Sequence, residues 1–139
     1  AVLLRALGLL VLKPSSASAV TDELLPEQGG MLSNLLRDVV RQVRETPDLS
    51  TAALLGYWMG TDEGELLSEA AAKEVIDDEQ HISEHLMAIL NKLSRDRHVT
   101  LLRKRAEKLK SVAYTELSNE QKRELVALTT EIRQLSGRN

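Results

Sequence analysis

The chain has 139 residues, a net charge of −3, no cysteine, no phenylalanine, one tryptophan and two tyrosines. The length suits one domain, or one domain with a small appendage. The lack of cysteine excludes disulfides, thiol catalysis and thiolate metal sites, and fits a reducing compartment.

A core with so few aromatics must be built from Leu, Ala, Val and Ile, and the Leu-, Ala-, Glu-, Lys- and Arg-rich composition points to helices. The opening "AVLLRALGLLVLKPSSASAV" imitates a secretory signal, with Ala17-Ser18-Ala19 as a cleavage-like site. Arg5 interrupts its apolar run, no basic region precedes it, and Lys13 follows at once. The run is also far short of the ~20 residues that span a bilayer. Leu3, Leu7, Leu10 and Val11 share one helical face, and Pro14 ends the pattern, so a core helix is the preferred reading. Ala1 in place of Met points to a processed chain or an excised fragment.

Short-helix or loop material follows, closed by Pro26 and the Gly29-Gly30 pair. Leu32, Leu35, Leu36, Val39, Val40 and Val43 then form a broad helical stripe, with Arg37, Arg41 and Arg44 pointing away. Pro47 enforces a break. Ser50 can cap "TAALLGYWM", Gly60 can stop it, and Thr61 can cap "DEGELLSEAAAKE". A longer helical stretch begins at Asp77, with Ile82, Leu86, Ile89, Leu90 and Leu93 as its first stripe. "SRDRHVT" (94–100) weakens the pattern and predicts a kink or joint. A second stripe runs Leu102, Ala106, Leu109 and Ala113. Ser118 and Gln121 form a capping box for a last helix, whose stripe is Leu125, Leu128, Ile132 and Leu135.

These two narrow stripes predict an antiparallel hairpin. About 40 residues in two helices lie near the lower limit for independent folding, so a brace or a partner is expected. Val126, Thr130 and Arg133 fall opposite the last helix's stripe, and Leu101 and Val112 flank the stripe of the helix before. This surface reads as a small docking patch, and equally as ordinary surface. Charge is split along the chain: residues 1–90 carry 6 basic and 15 acidic residues, a balance of −9, whereas residues 91–139 carry 12 and 6, a balance of +6. Such segregation fits two units with different neighbours, or simply a solvated helix surface.

Little catalytic chemistry is encoded. His81 and His85 stand at a zinc-like i, i+4 spacing, but Ile82 fills the slot where a metalloprotease needs its glutamate. A structural role is preferred over a metalloenzyme. Asp77, Asp78 and Glu79 could hold magnesium; at the head of a helix they more simply answer its dipole. "GTDEG" lacks the lysine of a phosphate loop. "RDRHVTLLRKRAEKLK" is basic enough to touch nucleic acid, yet has no interleaved aromatics for stacking.

Three stretches together resemble the C-terminal domain of bacterial DNA primase that binds the replicative helicase. "LLRALGLLVLKP" (3–14) is similar to that domain's opening helix, with its internal Gly and closing Pro. "LLGYWMGT" (54–61) resembles its Leu pair, aromatic and Gly-Thr. "LSNEQKRELVALTTEI" (117–132) is similar to its terminal helix and cap. The resemblance implies an all-α fold: a helical bundle at 1–94, a long helix, and a C-terminal antiparallel helical hairpin at 95–139. It implies a non-catalytic, cytoplasmic module that docks on the helicase hexamer through its N-terminal domains and brings RNA primer synthesis to the replication fork. Leu101, Val112, Leu117, Arg123, Val126, Thr130, Arg133 and Gln134 are the helicase-binding residues expected on this basis. The acidic tail of single-stranded-DNA-binding protein is a second implied partner, with Arg5 and Lys13 as contacts. No cofactor is expected here, since zinc and magnesium would belong to upstream domains. No membrane and no sequence-specific nucleic acid are expected, while a hairpin-swapped dimer is conceivable. The alternatives are the N-terminal domain of a replicative helicase, or a helical nucleic-acid-binding module.

Overall fold

The Leu-rich opening forms helix α1 (Val2–Leu12) in a computed structural model that describes residues 2–26, 29–74 and 79–137. Pro14 cannot continue the helix, and the chain tightens into 3₁₀ segments at Pro14–Ala19 and Asp22–Leu24. Helices α2 (Met31–Glu45), α3 (Thr51–Tyr57) and α4 (Asp62–Ala72) follow. Then come the long α5 (Glu79–Lys110), a 3₁₀ turn at Tyr114–Glu116 and α6 (Asn119–Ser136). The fold is all-α.

The helix boundaries are set by side chains chosen for them. Ser50 accepts a hydrogen bond from the Ala53 amide, and Thr61 accepts one from the Gly64 amide. Each thereby satisfies one otherwise orphaned donor of a first turn. Between these two helices Gly60 takes φ +82°, a left-handed conformation that glycine enters without a Cβ clash. The Asp77-Asp78 pair lies outside the described residues.

The chain divides into two compact units, Ala1–Ser94 and Arg95–Asn139, and α5 contributes residues to both. The stretch 94–100, where the sequence predicted a kink or joint, is helical, and the boundary between the two units falls within it, at Ser94 and Arg95. None of those seven residues is Gly or Pro, and Thr100 returns its hydroxyl to the Asp96 carbonyl at 2.9 Å, a bond that lies within the helix.

In the first unit, α1 is buried nearly all round: Ala6, Leu7, Gly8, Leu9, Leu10 and Val11 are all inaccessible. They meet Leu35, Leu36, Val39 and Val40 of α2, Leu54 of α3, Leu67 of α4, and Ile82, Leu86 and Leu90 of α5. The signal-like apolar run is therefore a core helix. Its closest neighbour is α4. A Cβ placed on Gly8 would stand 2.5 Å from the Ala70 carbonyl oxygen, so only glycine permits this backbone approach. The periphery is tied by polar bonds. Thr51 donates its hydroxyl to the Val11 carbonyl at 2.7 Å, and the Ser16 and Ser83 hydroxyls meet at 2.9 Å. Arg44 donates to the Val20 carbonyl at 2.6 Å and pairs with Asp22 at the same distance.

The second unit is thin. Ala106, Leu109, Leu117 and Leu128 are its buried cluster, with Leu102, Leu125 and Ile132 packed against them. Val99 is buried too, and by spacing continues the Leu102–Ala106–Leu109 face. The capping box is formed in full: Ser118 Oγ accepts from the Gln121 amide at 3.1 Å, and Gln121 Oε1 accepts from the Ser118 amide at 2.9 Å. Cross-helix pairs run in antiparallel order, with Arg105 Nε on Glu124 at 2.6 Å and His98 Nε2 on Glu131 at 3.1 Å. The Arg105 bond holds the Glu124 carboxyl below the usual carboxylate range. Lys122 lies over the Tyr114 ring at 4.9 Å and closes the turn.

Three outcomes are expected. Gly8→Ala lowers stability by about 1–3 kcal/mol through overpacking. Gly56→Ala, whose added Cβ meets nothing within 4 Å, raises it slightly. Urea denaturation of the two variants checks both signs. A carboxyl lowered in the folded state stabilises above its unfolded value, and that contribution disappears as pH falls through the lowered one. Glu124→Gln therefore speeds α6 amide exchange relative to the parent at pH 7, and the difference closes in acid.

Candidate protein-interaction site

Burying Leu128 fixes which way α6 faces. At 3.6 residues per turn, Arg123, Val126, Thr130, Arg133 and Gln134 fall within about 100° of arc, opposite the seam of Leu125, Leu128, Ile132 and Leu135. All five are exposed. Val126 is 63% exposed, an apolar side chain that the hairpin does not use. Thr130 donates its hydroxyl to the Val126 carbonyl at 3.0 Å, which turns its methyl rather than its hydroxyl toward the surroundings. The centre of this face is thus apolar, and its edge carries two guanidinium groups and an amide.

On α5, Leu101 is 64% exposed and Val112, just past the helix end, 42%. They lie at the flank of that helix's buried face. Tyr114, 58% exposed, adds an aromatic beside Val112 in sequence. Sequence reasoning passed over this tyrosine, although an aromatic in a polar turn of a chain so poor in aromatics was the available signal.

Two expectations need correction. Leu117 does not belong to an open surface: it is buried with Ala106, Leu109 and Leu128, and its side chain closes the hairpin's end. Ala113 does not extend the seam. The helix stops at Lys110, and Ala113 is an exposed residue preceding the 3₁₀ turn.

In the first unit, Arg5 donates to His85 Nδ1 at 3.3 Å and stands 3.6 Å from the Glu74 carboxylate. A guanidinium has no acceptor, so the ring nitrogen must accept. This nitrogen is then occupied by a cationic donor, which is a poor neighbour for a metal ion. Among the described residues no group of three His, Asp or Glu side chains is placed to hold a metal. Lys13 is half-buried. No helix among the described residues is long and apolar enough to cross a membrane.

The family described as "DNA primase DnaG DnaB-binding" matches residues 3–128. Comparison with curated proteins returned no match. Among solved structures, the C-terminal domain of DnaG primase from Vibrio cholerae is similar with a TM-score of 0.61 and 26% identity, over 93% of this chain and 96% of that one. These findings set aside the reading as the N-terminal domain of a helicase. The match runs from Leu3 on α1 to Leu128 at the hairpin seam, and the chain therefore belongs to the DnaB-binding family of DnaG primases.

Proposed function

We propose that this chain is the non-catalytic docking module of a DNA primase, and that its hairpin lodges on the N-terminal domains of the replicative helicase. Docking brings primer synthesis to the fork, and the bundle modulates the motor. Polymerase chemistry, with its zinc and magnesium, resides in upstream domains of the parent.

The observation that carries this reading is the outward face of α6. The helix has already buried one stripe to build the hairpin, and Val126 with the Thr130 methyl remain as an apolar patch bordered by Arg123 and Arg133. Such a patch fits an interface with an apolar centre and a charged rim. Leu101 and Val112 supply further apolar area on α5. A standard interface buries roughly 1,600 Å², which fits a range of affinities because area does not fix binding strength. The arginines at the rim set the on-rate and its salt dependence more than the affinity. A tail from single-stranded-DNA-binding protein reaching Arg5 would have to compete with Glu74, which already neutralises it.

Deleting residues 118–139 would abolish docking, but it would also uncover Ala106 and Leu109. The sharper test is Val126→Asp, which leaves the seam intact. Calorimetry against a DnaB N-terminal domain should show at least a tenfold loss, about 1.4 kcal/mol, with unchanged helical circular dichroism. Binding as tight as that of the parent would refute the assignment of the face.

A further inference from the structure

The first unit has a cleft that helicase docking by the hairpin does not use. It measures about 570 Å³, lies between the second half of α2 and α3, and takes in Tyr57 and Trp58. The placement is unusual for this composition. A chain with one tryptophan, two tyrosines and no phenylalanine would be expected to bury its few aromatics, yet Tyr57 is 71% exposed and Trp58 is only half-buried.

The two rings stand with centroids 5.3 Å apart and planes at 75°, forming two walls of a corner. The indole is held there, since Trp58 Nε1 donates to Gln42 Oε1 at 2.9 Å. Leu49 and Ala53 give the cleft an aliphatic floor, and Glu45 brings a carboxylate to its rim. The charges present do not cancel one another. Arg41 is engaged by Asp38 at 3.6 Å, whereas the Glu45 carboxylate has neither hydrogen bond nor ion pair among the described residues. No cation of the described residues lies over either ring.

We propose that this cleft receives an arginine side chain from an extended segment of a partner protein. The cation rests against the Tyr57 and Trp58 rings and pairs with Glu45, and its methylene stem lies along Leu49 and Ala53. Two aromatic walls with one unpaired carboxylate form a site that selects a cation and favours a flat, weakly hydrated guanidinium. Charge complementarity extends beyond the cleft, because residues 1–94 carry 7 basic and 15 acidic residues. The same excess of acid opposes the other chemistry that aromatic rings serve, the stacking of single-stranded nucleic acid, since its phosphates would meet Glu45 and Asp38.

The chain's single tryptophan lies at the site, so its emission reports occupancy directly. The whole chain is titrated with the blocked peptide acetyl-Gly-Leu-Arg-Leu-Gly-amide, with its Glu counterpart in place of Arg, and with a ten-nucleotide oligo-dT. The expected result is a saturable emission change with the Arg peptide alone. Glu45→Gln and Tyr57→Ala each weaken it about threefold or more, the size of one exposed cation–π contact or ion pair. Both side chains are surface groups, and Trp58 stays as the probe in both variants. No saturable change with the Arg peptide overturns the proposal. So does equal binding of the Glu peptide, tighter binding of oligo-dT, or undiminished binding by both variants. None of these outcomes bears on docking by the hairpin, which is read separately at Val126.

Discussion

Helices α1 and α4 meet backbone against backbone, the α-carbon of Gly8 over the Ala70 carbonyl. A core without large aromatic side chains has little volume with which to fill gaps, so its helices must come together closely to exclude water. Glycine on α1 and alanine on α4 permit that approach. The surrounding Leu and Val side chains of α1 are then buried on several sides at once, which is why the sequence of a core helix mimics a secretory signal. The starts of α3 and α4 are closed locally, where the exposed Ser50 and Thr61 each accept a hydrogen bond from a first-turn amide.

The second unit solves a different problem. A buried cluster of four residues gives far less hydrophobic stabilisation than the cluster of eighteen in the bundle, so end effects weigh more. The full capping box at Ser118, the bidentate Arg105–Glu124 pair and the Lys122–Tyr114 contact are all made at the rim of that small core. Each is modest by itself. Together they hold α6 in one rotational setting, and that setting fixes what α6 presents outward. A rotation of one residue, ~100°, would bury Val126's neighbours and expose the seam.

Most of the architecture was legible because it is written in local signals. Pro14, Gly60, Ser50, Thr61 and the Ser118–Gln121 pair mark boundaries by mechanisms confined to a turn, and periodic leucines marked the buried faces. Failures arose where tertiary context decides. "SRDRHVT" offers one apolar residue in seven, and the boundary between the two units falls there, but the helix runs through it and that one residue, Val99, is buried. Ala113 fits the seam by spacing, but the helix stops at Lys110, so its face is never continued. Leu117 shares the family-like stretch with Val126 and is buried, whereas Val126 is exposed. Helical spacing places Val126 on the outward face, but Leu117 precedes the helix, so only the turn geometry shows that it is buried. The exposed Tyr57 and half-buried Trp58 were legible as part of a motif but not as a surface, because their burial depends on how α3 packs against α2.

The charge split acquires a physical meaning once the two surfaces are placed. The outward face of α6 carries apolar groups edged by Arg123 and Arg133, so a partner that fits it offers apolar surface with acceptors at the rim. The cleft of the first unit has an unpaired Glu45 beside two aromatic rings, so what fits there is cationic. A segment suited to one surface is repelled by the other, because like charges brought together at a contact cost binding energy. Two sites of opposite preference on one short chain cannot compete for the same ligand. The excess of acidic residues before position 90 and of basic residues after it runs in the same sense as the charges at these two surfaces.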